Sequence, residues 1–374
     1  MLTASVPPLS AKRFFVEKGA AHKGDAVTVT TNKLENRLLS LAVNEQTGAI
    51  ENLVWKEKGM NLVDRTGGGG LNRYLYVLGK DPQKACGLTR VRVRPKERGS
   101  LVGSLLVKAD APGCIRYTCE IRIAAGLPWV DIIHRIDKRA VREKEGVHIA
   151  YPFDIRDGVL RYDVAGGMVR PEVDQLPGAC KNFFSVQSWV DISSDSLGVT
   201  WATVDAPLIE IGAITAEQPW MKTIEPSRTF YSYVMNNYWH TNYKADQEGP
   251  VTFRYSLRPH ASFKPSDAVR FAKERREPLL VTYADTSRPP MRSLFAIDSF
   301  DLVVLSVRPI EGGNSWLVHL YNPTDVDRKT VMLWNRSIPA AIHTSDVFGR
   351  RGERVGGPFD VPAYGSRYIR IDRK

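Results

Sequence analysis

Apolar and polar side chains alternate with a period of two along much of this 374-residue chain. Ile121 and Ile123 interleave with Glu120 and Arg122, Val199 and Trp201 with Thr200 and Ala202, and Ile369 and Ile371 with Tyr368 and Arg370. Successive side chains of a strand point to opposite faces, so each such stretch predicts a half-buried strand. Turn signals recur between them at Thr47-Gly48, glycines 67–70, Pro112-Gly113, Asp157-Gly158, Gly166-Gly167 and Gly312-Gly313. One helix breaks the pattern: Ser266 is its candidate N-cap, Phe271 and Ala272 face inward, and Pro278 stops it after Glu277. The prediction is an all-β protein with large sheets.

That helix is also the best boundary. Residues 1–265 show no obvious polar linker and read as one large multi-stranded sandwich. Residues 266–278 form the connecting helix, and 279–374 come close to the ~100 residues of an immunoglobulin-like sandwich. Thr286–Arg292, with Pro289-Pro290, reads as a proline-bearing connection near the junction. No repeat is evident at periods of about 20–50 residues.

Composition then narrows the class. With 43% hydrophobic and 25% charged residues, the chain can bury a core, and disorder is disfavoured. No apolar run approaches the ~20 residues that span a bilayer, and Met1 to Lys18 contains no signal-peptide core, so a cytoplasmic, membrane-free protein is expected. A net charge of +11 raises the question of nucleic acid, but the basic residues are dispersed. Arg90-Val91-Arg92-Val93-Arg94 puts arginines on one face of a strand and valines on the other, and Lys273–Arg276 reads as a solvated helix face. Nucleic-acid binding is therefore not expected. Cys86, Cys114, Cys119 and Cys180 form no CxxC, and the odd offset between Cys114 and Cys119 sends them to opposite faces of a continuous strand. They read as reduced thiols.

Local catalytic signatures are missing. Histidines 22, 134, 148, 240, 260, 319 and 343 form no HExxH or H-x-D, and His134 and Asp137 should face opposite ways. There is no G-x-S-x-G, and glycines 67–70 lack the Lys-Ser/Thr of a phosphate loop. Asp154, Asp157, Asp163 and Asp205 read as turn or surface residues, so no catalytic or metal-ligating residue is assigned. One stretch differs: Tyr231 to Tyr243 packs five aromatics, three asparagines and a histidine into thirteen positions. Aromatic faces stack on sugar C–H surfaces, and amides donate to and accept from hydroxyls together. A core strand ending in an Asn236-Asn237 turn would explain the same composition.

The run from Asn236 through Tyr243 (Asn-Asn-Tyr-Trp-His-Thr-Asn-Tyr), followed by Gly249 to Leu257, resembles the C-terminal half of glycoside hydrolase family 38 α-mannosidases. Leu34-Glu35-Asn36-Arg37 with Gln46 to Ile50, Glu145 to Phe153, Arg170 to Gly178, and Asp205 to Leu208 are similar to that half in bacterial members. Leu320 to Thr324 and Ala363 to Arg367 are similar to its terminal β-domain.

The resemblance implies a mutarotase-like β-supersandwich followed by the smaller sandwich, and contact with an α-mannoside through Asn236, Asn237, Tyr238, Trp239, His240, Asn242 and Tyr243. It also implies that the nucleophile, the acid and a zinc or other divalent ion belong to an N-terminal catalytic barrel, in a longer protein or a split partner chain. No cofactor is then expected in this chain, and contacts between its own copies are allowed for. Two alternatives stay open: a stand-alone carbohydrate-binding module, and a mutarotase-like sugar enzyme using a His and a carboxylate as acid and base.

Overall fold

The computed structural model describes residues 6–19, 24–66, 69–215, 218–242, 244–283, 293–310, 312–334 and 339–372. Glycines 67–68, Tyr243 and the expected Thr286–Arg292 connection lie outside them. The fold is all-β apart from the helix Pro265–Arg276 and a short 3-10 turn at Pro82–Lys84. Among the described residues no helix is long and apolar enough to cross a membrane.

Two compact units emerge, one of residues 20–164 and 169–263, the other of 1–19, 165–168 and 264–374. The first holds most of a nine-stranded sheet. Eight of its strands lie within this unit, in the order Val159–Val164, Trp189–Ser193, Gly198–Thr203, Gly249–His260, Val130–Lys138, Cys114–Ala124, Val102–Asp110 and Thr89–Arg98. Opposite it lies a five-stranded sheet in the order Phe184–Ser185, Leu208–Ile211, Thr229–Asn237, Glu145–Pro152 and Arg73–Leu78. The inner faces meet in one core, where Trp201 and Tyr255 of the larger sheet pack on Tyr151 and Phe230 of the smaller at ring distances of 5.2–5.7 Å. Each such side chain contributes about 1.5–3 kcal/mol by burial. A further five-stranded sheet, from Thr28–Val29 to Met60–Asn61, adds Leu34, Leu41 and Leu53 to the same core. This is the β-supersandwich that the resemblance implies, built from the strands that the alternation predicts.

Several polar groups inside it are paired, although the Tyr151 hydroxyl and the Trp201 indole N–H have no hydrogen-bond partner among the described residues. Lys138 and Glu145, both 1% exposed, meet at 2.6 Å, and the Tyr76 hydroxyl donates to the same carboxylate. His134 is fully buried: its Nδ1 accepts from the Tyr117 hydroxyl, and its Nε2 lies 2.6 Å from the Asn72 carbonyl oxygen. Burial pushes its pKa down to about 3, so the ring is neutral.

The second unit packs Val318, Leu320, Ile369 and Ile371 from its own five-stranded sheet against Phe295 and Met332. Asp372 anchors that sheet: burial pushes its carboxyl up, but Ser315 and Arg370 hydrogen bonds and the Arg351 charge hold it below its usual range. The helix differs from expectation at its start. Lys264 is the N-cap without a side-chain bond, and Pro265 takes the first turn, where its fixed φ suits the helix. Ser266 is buried one step further in.

Two more expectations change. Cys114 and Cys119 both face the core, because a bulge at Ile115 shifts the register between Asp137 and Lys138 and absorbs the odd offset; both remain free thiols. Asp163, read as a turn or surface residue, is 6% exposed and clamps its neighbours, accepting from the backbone of Ser188 and Trp189 and from the Ser188 hydroxyl.

Candidate functional site

The candidate site lies on the outer face of the smaller sheet. Val147, Ile149 and Tyr151 of Glu145–Pro152 point into the core, so Gly146, His148 and Ala150 point outward. Across the pairing, His148 lies opposite Tyr233 and Ala150 opposite Tyr231, which in turn lies opposite Glu210. Although on the outer face, His148 and Glu210 are both 0% exposed, and Nδ1 approaches Oε2 at 2.6 Å. The contact falls outside hydrogen-bonding angles. Tyr233 stacks on the imidazole with ring centres 4.6 Å apart. The other Glu210 oxygen accepts from the Thr215 backbone and hydroxyl. Gly146 is required here: a Cβ would sit 2.8 Å from His148 Nε2 and 3.1 Å from the Tyr238 ring.

The aromatic and asparagine stretch follows directly, and the structure divides it. Asn236 accepts from the Tyr238 backbone N–H, shaping the turn that ends the strand. Asn237 is 2% exposed, and its amide donates to the carbonyls of Val141 and Ala245, with a longer bond to Glu143. Tyr238 is buried and donates to the Gly79 carbonyl. Those two residues brace loops from distant parts of the chain. Trp239 is half-buried, donating from its indole N–H to the Arg142 carbonyl, while the Lys144 ammonium lies 5.6 Å from its ring centre. His240, 3.3 Å from that ammonium, and Asn242 are exposed. Tyr243 lies outside the described residues. The structure thus brings Trp239, His240 and Asn242 to the surface and turns the polar atoms of Asn237 and Tyr238 onto backbone.

Nearby carboxylates are engaged: Asp246 pairs with Arg142 at 3.2 Å, and Glu248 pairs with Lys244. The Arg142 hydrogen bond holds the Asp246 carboxyl below its usual range. Sequence reasoning missed His148 and Glu210 as a pair. The available signal was a histidine at an outward position of an otherwise apolar strand. A separate polar cavity of about 350 Å³ is lined by Asn44, Thr47, Glu51, Asn52, Arg65, Gly69 and Gly70. Its groups largely bond one another: the Asn44 amide donates to the Glu51 carboxylate, and Arg65 donates to the Glu51 carbonyl. Among the described residues, no three His, Cys, Asp or Glu side chains stand together as a metal cradle.

Residues 34–205 match the model for the glycosyl hydrolases family 38 C-terminal domain. An alpha-mannosidase from Enterococcus faecalis V583 superposes over 95% of this chain and 43% of its own, with a TM-score of 0.73 at 12% identity. A glycosyl hydrolase family 38 protein from Enterococcus faecalis superposes over 96% of this chain and 46% of its own, with a TM-score of 0.70 at 12% identity. The chain thus spans less than half the length of these two solved proteins. A comparison with curated proteins finds no match.

Proposed function

We propose that this chain, which carries the C-terminal domain of glycoside hydrolase family 38 over residues 34–205, is the carbohydrate-contacting and structural portion of an α-mannosidase-like hydrolase. The observation that carries this reading is the match to the family's C-terminal domain over residues 34–205, together with the superposition of 95% of this chain on 43% of an alpha-mannosidase. Chemistry would come from a barrel, in the same protein or a partner chain, working on mannose-containing glycans. A retaining hydrolase holds two carboxyl groups about 5 Å apart, and the carboxylates beside the site are instead held in ion pairs with Arg142 and Lys244. The divalent ion implied by the family finds no cradle among the described residues. Four free cysteines support a reducing, cytoplasmic setting.

Within this reading, Trp239 offers a face for sugar C–H groups, while His240 and Asn242 offer hydroxyl partners. Asn236, Asn237 and Tyr238 hold that loop in place. The test is titration of the purified chain with an α-linked mannobiose, followed by tryptophan fluorescence. A saturable change that disappears in Trp239→Phe, with unchanged circular dichroism, supports the assignment. A change that survives the substitution moves the contact elsewhere.

A further inference from the structure

The basic edge of the nine-stranded sheet has no role in the reading above. As the sequence pattern requires, Val91 and Val93 of Thr89–Arg98 pack inward, and Arg92 and Arg94 are exposed. In register, Arg92 lies opposite Lys108, Lys108 opposite Thr118, Thr118 opposite Arg135, and Arg135 opposite Thr252. One row across five strands thus carries three cations and two hydroxyls on one outward face. Strands lie about 4.8 Å apart, so the side chains recur at that step and at twice it. No carboxylate among the described residues lies within ion-pair distance of Arg92, Arg94 or Lys108, whereas neighbouring Lys96 and Arg135 share Glu120. Like charges directly opposite each other destabilise a sheet, so the Arg92–Lys108 pair opposes folding. Charges on an edge strand commonly block unwanted strand pairing, but that need ends at Thr89–Arg98, and this row continues three strands beyond Lys108.

We propose that this outward face binds an acidic polysaccharide, a sulfated or uronate-bearing chain laid across the strands. Its anions pair with Arg92, Lys108 and Arg135, and its free hydroxyls meet Thr118 and Thr252. The row contains no aromatic ring, which disfavours single-stranded nucleic acid, where bases stack on such rings. It contains no apolar centre and includes a lysine, which disfavours a stable protein interface. The site lies on a different sheet from Trp239 and does not depend on the α-mannoside reading.

The test uses the whole chain and fluorescently labelled dextran sulfate, with anisotropy read at about 0.15 M salt. The expected result is saturable binding, weakened about tenfold or more in the Arg92→Ser/Lys108→Ser double variant and less salt-dependent there. Neutral dextran should not bind. A control variant, Arg350→Ser/Arg354→Ser, carries the same charge change in the other unit and should bind as the parent does. Arg135 is left intact because it helps neutralise Glu120, and thermal melting should show the double variant folded. Three results would overturn the proposal: equal affinity in the double variant, equal loss in the control variant, or equally tight binding of polyglutamate or single-stranded DNA.

Discussion

The two outer faces of the first unit handle polar residues in opposite ways. On the smaller sheet, loops cover the strands, so His148 and Glu210 are sealed against each other and Asn237 bonds to carbonyls from two other segments. On the far end of the larger sheet nothing among the described residues covers the strands, and Arg92, Arg94 and Lys108 stand in water. A buried polar group must find a partner at the cost of its desolvation, whereas an exposed one is satisfied by solvent. Substitutions should therefore cost much on the first face and little on the second.

Glu210→Ala should have the largest effect. It leaves His148 and the Thr215 N–H buried without their partner, and a loss of about 3 kcal/mol in urea unfolding is expected. A loss below about 0.5 kcal/mol would place this face in the same class as the open one. Asn237→Ala comes next, at about 2 kcal/mol, because it orphans carbonyls of both loops. Hydrogen exchange should speed up around Val141 and Ala245 together; an effect confined to residues beside position 237 would deny the bracing role.

The core between the faces supplies a pH test. His134 has a folded pKa of about 3, below the value of about 6.5 in an unfolded chain. The unfolded state binds the extra proton, so this contribution is fully present above pH ~6.5 and is lost as pH falls towards 3. Between pH 6 and 4 the parent should lose about 1 kcal/mol more per pH unit than His134→Gln, as read from denaturant midpoints at matched m-values. Parallel profiles would show that His134 is already charged in the fold. The smallest effect belongs to the open face: Arg92→Ser/Lys108→Ser should gain a few tenths of a kcal/mol up to about 1 by removing the opposed charges. A clear loss of stability would mean that the row is held by contacts rather than by solvent.

The same contrast explains what was legible in the sequence. Alternation gave the strands and correctly oriented Arg90–Arg94, because an uncovered sheet face is decided by local period alone. It placed His148 outward as well, but could not show that Tyr233, Tyr238 and the Thr215 loop seal that side, since the covering groups lie 67 to 90 residues away in sequence. Asn237 looked like a sugar-binding amide for a similar reason: its carbonyl partner Val141 lies 96 residues earlier. Cys114 and Cys119 were placed on opposite faces because a one-residue bulge leaves no compositional trace. The helix was visible, but its cap was displaced by Pro265, which prefers the first helical turn.

Whether this chain needs a separate barrel for chemistry is decided by hydrolysis of an aryl α-mannoside by the purified chain, with and without added zinc. The expected result is no turnover by the chain alone under either condition, and turnover only when a family 38 barrel is supplied with it. Steady release of the aryl group by this chain alone, abolished by no barrel and requiring none, would contradict it.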